Sequence, residues 1–287
     1  KPVILTAAGK VTQVAAVAGS GGTPVLFDTT NSSSIATTFD SNAGKVVIGY
    51  NVATTSGSAI VGTVSGTSIS YGSPVAFEAA NTDNIAATFD SNSNKVVFAY
   101  RDRGNSNYGT AIVGTVSGTS ISFGTAVVFE SANSNNISSA FDSNANKVVI
   151  AYRDQGGTNY GTAIVATVSG TSISFGTPVV FETANSWKTS TVFDTTANKV
   201  VISYSDVGNS QYGTAIVGTV SGTSISFGTA VVFEAAASGG ISSTFDTVAE
   251  KVVIGYTDNG NSYYGTAIVG TVSGTAISFG TAVVFET

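Results

Sequence analysis

Residues 131–182 read SANSNNISSAFDSNANKVVIAYRDQGGTNYGTAIVATVSGTSISFGTPVVFE. Short runs of Ile, Val, Phe and Tyr are divided here by clusters of Asp, Asn, Gly and Ser, which is strand material separated by turn formers. Four strands are predicted. The first covers about residues 137–141 and ends in the turn Asp142-Ser-Asn-Ala-Asn-Lys. The second runs over 148–153 and closes in a Gly-rich loop; the third extends from about 162 to 168. After Ser169-Gly170-Thr171 a fourth is expected near 174–181. Asp, Asn and Gly turns between short β-branched runs are hairpin signals, and no segment has useful helical periodicity.

The stretch recurs along the chain. Phe-Asp stands at Phe39, Phe89, Phe141, Phe193 and Phe245, at intervals of 50, 52, 52 and 52 residues. Lys-Val-Val keeps the same intervals from Lys45 to Lys251, and a late Phe marks each unit at Phe27, Phe77, Phe129, Phe181, Phe233 and Phe285. Four antiparallel strands in a repeat of about 40–50 residues form a β-propeller blade. Residue size agrees. The first strand is poor in bulk (Ile85-Ala-Ala-Thr, Ile137-Ser-Ser-Ala), as the narrow end of a wedge requires, and the second is apolar on both faces, as a sheet packed between two others requires. The expected architecture is all-β, with full repeats at 29–78, 79–130, 131–182, 183–234 and 235–286. Residues 1–28 hold fragments of another unit, Lys1-Pro-Val-Ile-Leu and Thr23-Pro-Val-Leu-Phe-Asp. Six blades are therefore expected, one of them lacking a strand; the alternative is five blades with an N-terminal flap. An incomplete blade would leave an edge through which copies could self-associate.

Composition excludes several functions. The chain has neither Cys nor His, so disulfides, thiolate metal sites and histidine general bases are ruled out. A net charge of −6 with 11 Lys+Arg disfavours nucleic acid. No apolar run is long enough to insert in a membrane, and the residues from Lys1 onward do not read as a secretory signal.

A reaction centre uses different groups in different roles, so catalytic residues should break the repeat. Of the 17 carboxylates, all but Asp83 and Glu250 occupy repeated positions. No pair resembles the two carboxylates of a glycosidase. The arginine cluster and the Ser-x-Asp-x-Gly-x-Thr-Trp box of sialidases are also missing, and the chain is expected not to be an enzyme. Asp90-Ser-Asn92-Ser-Asn94 and Asp142-Ser-Asn144-Ala-Asn146 open like a calcium loop but lack its Gly and terminal Glu. They read as side-chain-capped turns, so no cofactor is expected, with calcium as the one alternative.

Comparing the units locates the variation. Val-Ser-Gly-Thr-Ser-Ile-Ser recurs unchanged from Val64, Val116, Val168 and Val220. Differences gather at the joint between units (Asn81-Thr-Asp-Asn, Asn133-Ser-Asn-Asn, Asn185-Ser-Trp187-Lys188, Ser238-Gly-Gly) and in the loop after the second strand. In a four-stranded meander both connections emerge on one face, where recognition loops commonly sit. The candidate ligand-binding residues there are Arg101, Asp102, Tyr108, Arg153, Asp154, Tyr160, Trp187, Asp206, Tyr212, Asp258 and Tyr264. Aromatic rings beside Asp, Asn and Arg suit a sugar or a polar polymer.

The wording of residues 100–125, Tyr-Arg-Asp-x-Gly-Asn-Ser-x-Tyr-Gly-Thr-Ala-Ile-Val-Gly-Thr-Val-Ser-Gly-Thr-Ser-Ile-Ser-Phe-Gly-Thr, resembles a tandem repeat of uncharacterised marine phage and bacterial proteins, over residues 29–287. The resemblance implies a virion-surface or extracellular repeat protein such as a tail-fibre or adhesin module. The Phe-Asp…Val-Val-Ile-Ala-Tyr half is loosely similar to propeller lectins, with Phe and Tyr where those carry tryptophan. The expected function is attachment to a glycan or cell-surface polymer through the variable face. The alternative is a structural module of a fibre, spike or filament.

Overall fold

β-Branched and aromatic residues in the second strand of each unit leave it apolar on both sides, so it can be buried only between two other layers. A computed structural model, which describes residues 3–5, 11–13, 22–53, 55–157 and 159–286, shows that arrangement. In the third unit, Lys147–Asp154 pairs antiparallel with the 134–142 part of the long strand Val127–Asp142 and, on its other side, with Tyr160–Ser169. Four further sheets repeat this order around Lys45–Val52, Lys95–Asp102, Lys199–Asp206 and Lys251–Asp258.

Successive sheets pack face to face. One core cluster joins Val97, Ala99 and Val113 of the second sheet to Val148, Ile150 and Tyr152 of the third; equivalent clusters lie between the other neighbours. At the narrow end the small first-strand residues of adjacent sheets meet through hydroxyls. Thr88 bonds Ser139 at 2.5 Å and Ser138 bonds Thr191 at 2.7 Å. The chain is an all-β propeller of antiparallel sheets.

Each sheet is also latched to the next. Phe129 closes the third strand pair of its sheet and meets the Tyr152 ring at 5.2 Å, while the Tyr152 hydroxyl donates to Glu130 at 3.0 Å. Phe181, Glu182 and Tyr204 repeat the latch, as do Phe233, Glu234 and Tyr256. Phe27 and Asp28 make the same contacts to Tyr50. Residues 22–28 thus meet the first sheet as the end of a preceding unit would. The rest of the expected partial blade, residues 1–21, lies outside the described residues, apart from the backbone of Val3–Leu5 and Val11–Gln13, which pair antiparallel. At the other end Phe285 is 67% exposed, and the last second strand alternates buried and half-buried residues where the central residues of its predecessors are all buried.

Two expectations need correction. The fourth strand is not continuous: Ser172–Phe175 pairs with residues 166–169, and Val179 onward pairs with residues 160–163 of the same third strand. Gly176-Thr-Pro178 separates the two pieces, as Gly124-Thr-Ala126 and Gly228-Thr-Ala230 do in their units, and the Gly176 amide donates to Val165 at 2.9 Å where the chain leaves the first pairing. The joints between units are not all loops either. Val127–Asp142, Val179–Asp194 and Val231–Asp246 run unbroken from one sheet into the next, so the variable residues sit on strands.

Candidate functional site

The long strands owe their passage between sheets to a bulge. Register shifts between Asn135 and Ser138, and between Trp187 and Ser190. The residue inside each bulge has a left-handed backbone: Ser34 (48°), Asn84 (50°), Asn136 (50°), Lys188 (53°) and Gly240 (53°). Asn and Gly tolerate that conformation; a lysine there is uncommon. A bulge bends its strand and re-aims neighbouring side chains. Here it brings the joint beside the end of the second strand, with Asp83 opposite Arg101, Asn135 opposite Arg153, Trp187 opposite Ser205 and Gly239 opposite Thr257.

These neighbours differ in chemistry. In the second sheet Arg101 grips Asp83 through Nε and a terminal nitrogen, both at 2.5 Å, and donates its other terminal nitrogen to Asn133 at 3.4 Å. Arg103 adds a bond to Asp83 at 2.6 Å. Burial alone would raise the Asp83 pKa, but the bonds from Arg101, Asn84 and Arg103 outweigh it and hold the carboxyl below its usual range. Asn84 closes the junction to the third sheet, accepting from the Asn136 amide at 2.9 Å.

In the third sheet Asn135 replaces the aspartate. Arg153 keeps the bond from a terminal nitrogen, to Asn185 at 3.3 Å, but its buried Nε has no partner. Its guanidinium lies 6.0 Å from the ring centre of Trp187, which belongs to the next sheet and is 38% exposed. Arg153, Trp187, Asn135, Asn136 and Lys188 line a cavity of about 300 Å³. Burial, then the charge of Arg101, lowers the Arg153 pKa. The junction between the fourth and fifth sheets offers Ser205 with Gly239 and Gly240, neither aromatic nor charged.

The remaining expected residues have other work. Asp102 is buried and accepts the Gly104 and Asn105 amides at 2.9 and 3.1 Å. Asp154 accepts from Gly156, Asp206 caps the short 3-10 turn Val207–Asn209, and Asp258 accepts from Asn261. These carboxylates close the loops after the second strands rather than facing a ligand. Asp102→Ala should therefore cost about 1 kcal/mol in stability, as loss of a cap does, and leave ligand binding unchanged; titration of the variant by urea and by ligand checks both. Tyr108, Tyr160, Tyr212 and Tyr264 open the third strands half-buried, opposite those aspartates. Of the eleven, Arg153 and Trp187 line the cavity; Arg101 is engaged by Asp83. Asn135, Asn136 and Lys188 were not anticipated. Lys188 could have been, because it breaks the repeat in the same segment as Trp187.

A second cavity, about 480 Å³, opens at the opposite end of the first strands among Phe39, Phe89, Phe141, Phe193 and neighbouring Thr and Ser residues. It has no charged side chain. The turns that resemble calcium loops use their aspartates internally: Asp90 accepts the Asn92 and Ser93 amides, and Asp142 those of Asn144 and Ala145. Among the described residues no group of three or more acidic side chains is placed to hold a metal.

No protein-family model matches the chain and no curated protein matches it in sequence, so the resemblance to phage and marine bacterial repeats gains no support there. Solved structures do match in shape. A triple arginine-to-alanine mutant of AofleA from Arthrobotrys oligospora aligns with a TM-score of 0.56 and 10% identity, over 87% of this chain and 73% of that one. AofleA itself aligns at 0.50 and 11% identity, over 83% and 70%. A thermostable family-43 glycoside hydrolase aligns at 0.45 and 8% identity, over 86% and 92%. At such identities the AofleA likeness establishes the fold, and the hydrolase alignment falls below the similarity that carries an argument.

Proposed function

We propose that the chain is a non-enzymatic attachment module that binds a glycan between its third and fourth sheets, at a virion or cell surface. The observation that carries this reading is the Arg153–Trp187 pair over a 300 Å³ cavity. A half-exposed indole offers an apolar face to a sugar ring, and the surrounding Asn and Arg groups supply directional hydrogen bonds. Binding without catalysis is supported by the carboxylates: those on this face are bound to Arg101, to loop amides or to tyrosine hydroxyls, and none lines the cavity. Trp187→Ala should weaken glycan binding by about ten- to a hundredfold, the range for a central aromatic anchor, with little loss of stability. A glycan array followed by calorimetry on both proteins tests it; unchanged affinity in the variant would remove the site, and turnover of a bound glycoside would remove the non-enzymatic reading.

A structural role is favoured by a different observation. Val269 and Phe285 are exposed on the last sheet, where the preceding sheets bury their equivalents against a neighbour. Such a face suits lengthwise joining of copies. Ordered polymers in electron micrographs together with silence on the array would favour this reading over attachment.

A further inference from the structure

The second and third sheets present the same arginine in two settings. Arg101 uses its Nε edge to grip the carboxylate of Asp83, and its remaining nitrogen bonds Asn133. Arg153 makes the corresponding bond to Asn185, yet Asn135 stands where the aspartate would be, and the Nε edge has no partner. The next residue, Asp154, does not compensate. Successive residues in a strand face opposite sides, and the Asp154 charge acts on Glu130 and Tyr152 instead. Lys188 adds a second cation to the same cavity, and neither it nor Arg153 is ion-paired among the described residues. A local positive charge of this kind in a chain of net charge −6 calls for a counter-charge from outside.

Resting on the glycan-binding reading above, we propose that this site selects acidic sugars. A uronate carboxylate binds the part of the Arg153 guanidinium that lines the cavity, with Lys188 as its second partner, and the sugar ring lies on Trp187. A planar guanidinium matches a carboxylate through two parallel bonds, which a neutral hydroxyl or ester cannot reproduce. The second sheet already displays that pairing within the protein.

The substitution Asn135→Asp gives the test. It supplies Arg153 with an internal carboxylate, copying the second sheet, and so competes with the ligand without breaking the fold. Calorimetry would use galacturonate, glucuronate and mannuronate trimers, their methyl esters as uncharged equivalents, and the wild-type, Asn135→Asp and Trp187→Ala proteins. Wild type should bind at least one acid trimer about tenfold or more tightly than its ester, the difference made by one charge-assisted bidentate contact. Asn135→Asp should lose that preference while melting no lower than wild type, and Trp187→Ala should weaken acid and ester alike. If acid and ester bind equally and Trp187→Ala weakens both, glycan binding stands and acid selection falls. If neutral glycans bind and no acid trimer does, acid selection falls likewise. If no glycan binds, both readings fall. Acid binding that survives Asn135→Asp would place the contact elsewhere and overturn the inference.

Discussion

Gly176→Ala should destabilise the protein by roughly 3 kcal/mol, while Gly280→Ala, the same substitution at the same place in the repeat, should change stability by less than about 0.5 kcal/mol. Both glycines follow Ser-Phe and precede Thr. A methyl group on Gly176 would stand 1.8 Å from the carbonyl oxygen of Thr223, in the turn of the next sheet. That neighbour is backbone, held by its own hairpin, and cannot swing aside. Relief requires two sheets to part, which loosens the core between Val149, Val165, Val200 and Ile202. Gly72, Gly124 and Gly228 make the same approach to Thr119, Thr171 and Thr275. At Gly280 the nearest atom is 3.8 Å away, an ordinary contact. Urea unfolding of the two variants checks the difference. Equal losses would mean that the glycine answers to its own turn and not to the adjoining sheet.

Raising the pH above 10 should unfold the protein with a steepness set by its buried tyrosines, Tyr100, Tyr152 and Tyr204 foremost, with Tyr50 and Tyr256 adding to them. The first three are fully buried and donate to Glu78, Glu130 and Glu182 at 3.2, 3.0 and 2.9 Å. Burial, then the glutamate charges, pushes each phenol pKa well above its ordinary value. The sign follows from linkage. The unfolded chain releases these protons near pH 10 and the folded one does not, so the stabilisation is complete below pH 10 and declines as pH rises beyond it. Each tyrosine removes about 1.4 kcal/mol per pH unit in that window, and three together about 4 kcal/mol, enough to exhaust a typical domain within two or three units. Tyr152→Phe should reduce the slope by about a fifth, because the Tyr50 and Tyr256 phenols are raised as well. At neutral pH it should also cost about 1–2 kcal/mol, because Glu130 loses its donor while remaining partly buried. Circular dichroism and phenolate absorbance, followed together, give the result. Ionisation of these tyrosines near pH 10 with the fold intact would contradict it.

The repeat was legible because its causes are local. Small residues at Ala86, Ala87, Ser138 and Ser139, apolar residues on both sides of Val148–Tyr152, and the Asp142 and Gly170 turns dictate strand, width and reversal without knowledge of any distant partner. The interrupted fourth strand was misread because Ser172–Phe181 has unbroken strand character on either side of Gly176-Thr-Pro178. Only the shared pairing with residues 160–169 reveals two pieces.

The site was half legible. Trp187 and Arg153 stand out as departures from the repeat, which is a property of the letters alone. The aspartates after the second strands did not belong with them, since a side chain that closes its own loop reads in sequence like one that faces a ligand. Asn135, Asn136 and Lys188 stand 17 residues or more from one of their partners in the cavity and join it through a bulge and a sheet-to-sheet junction. Composition, strand order and the propeller wedge were thus written in short-range chemistry. Which arginine is neutralised, which glycine cannot bear a methyl and which tyrosine cannot ionise were decided by the neighbouring sheet, because pairing, crowding and burial exist only once two distant segments meet.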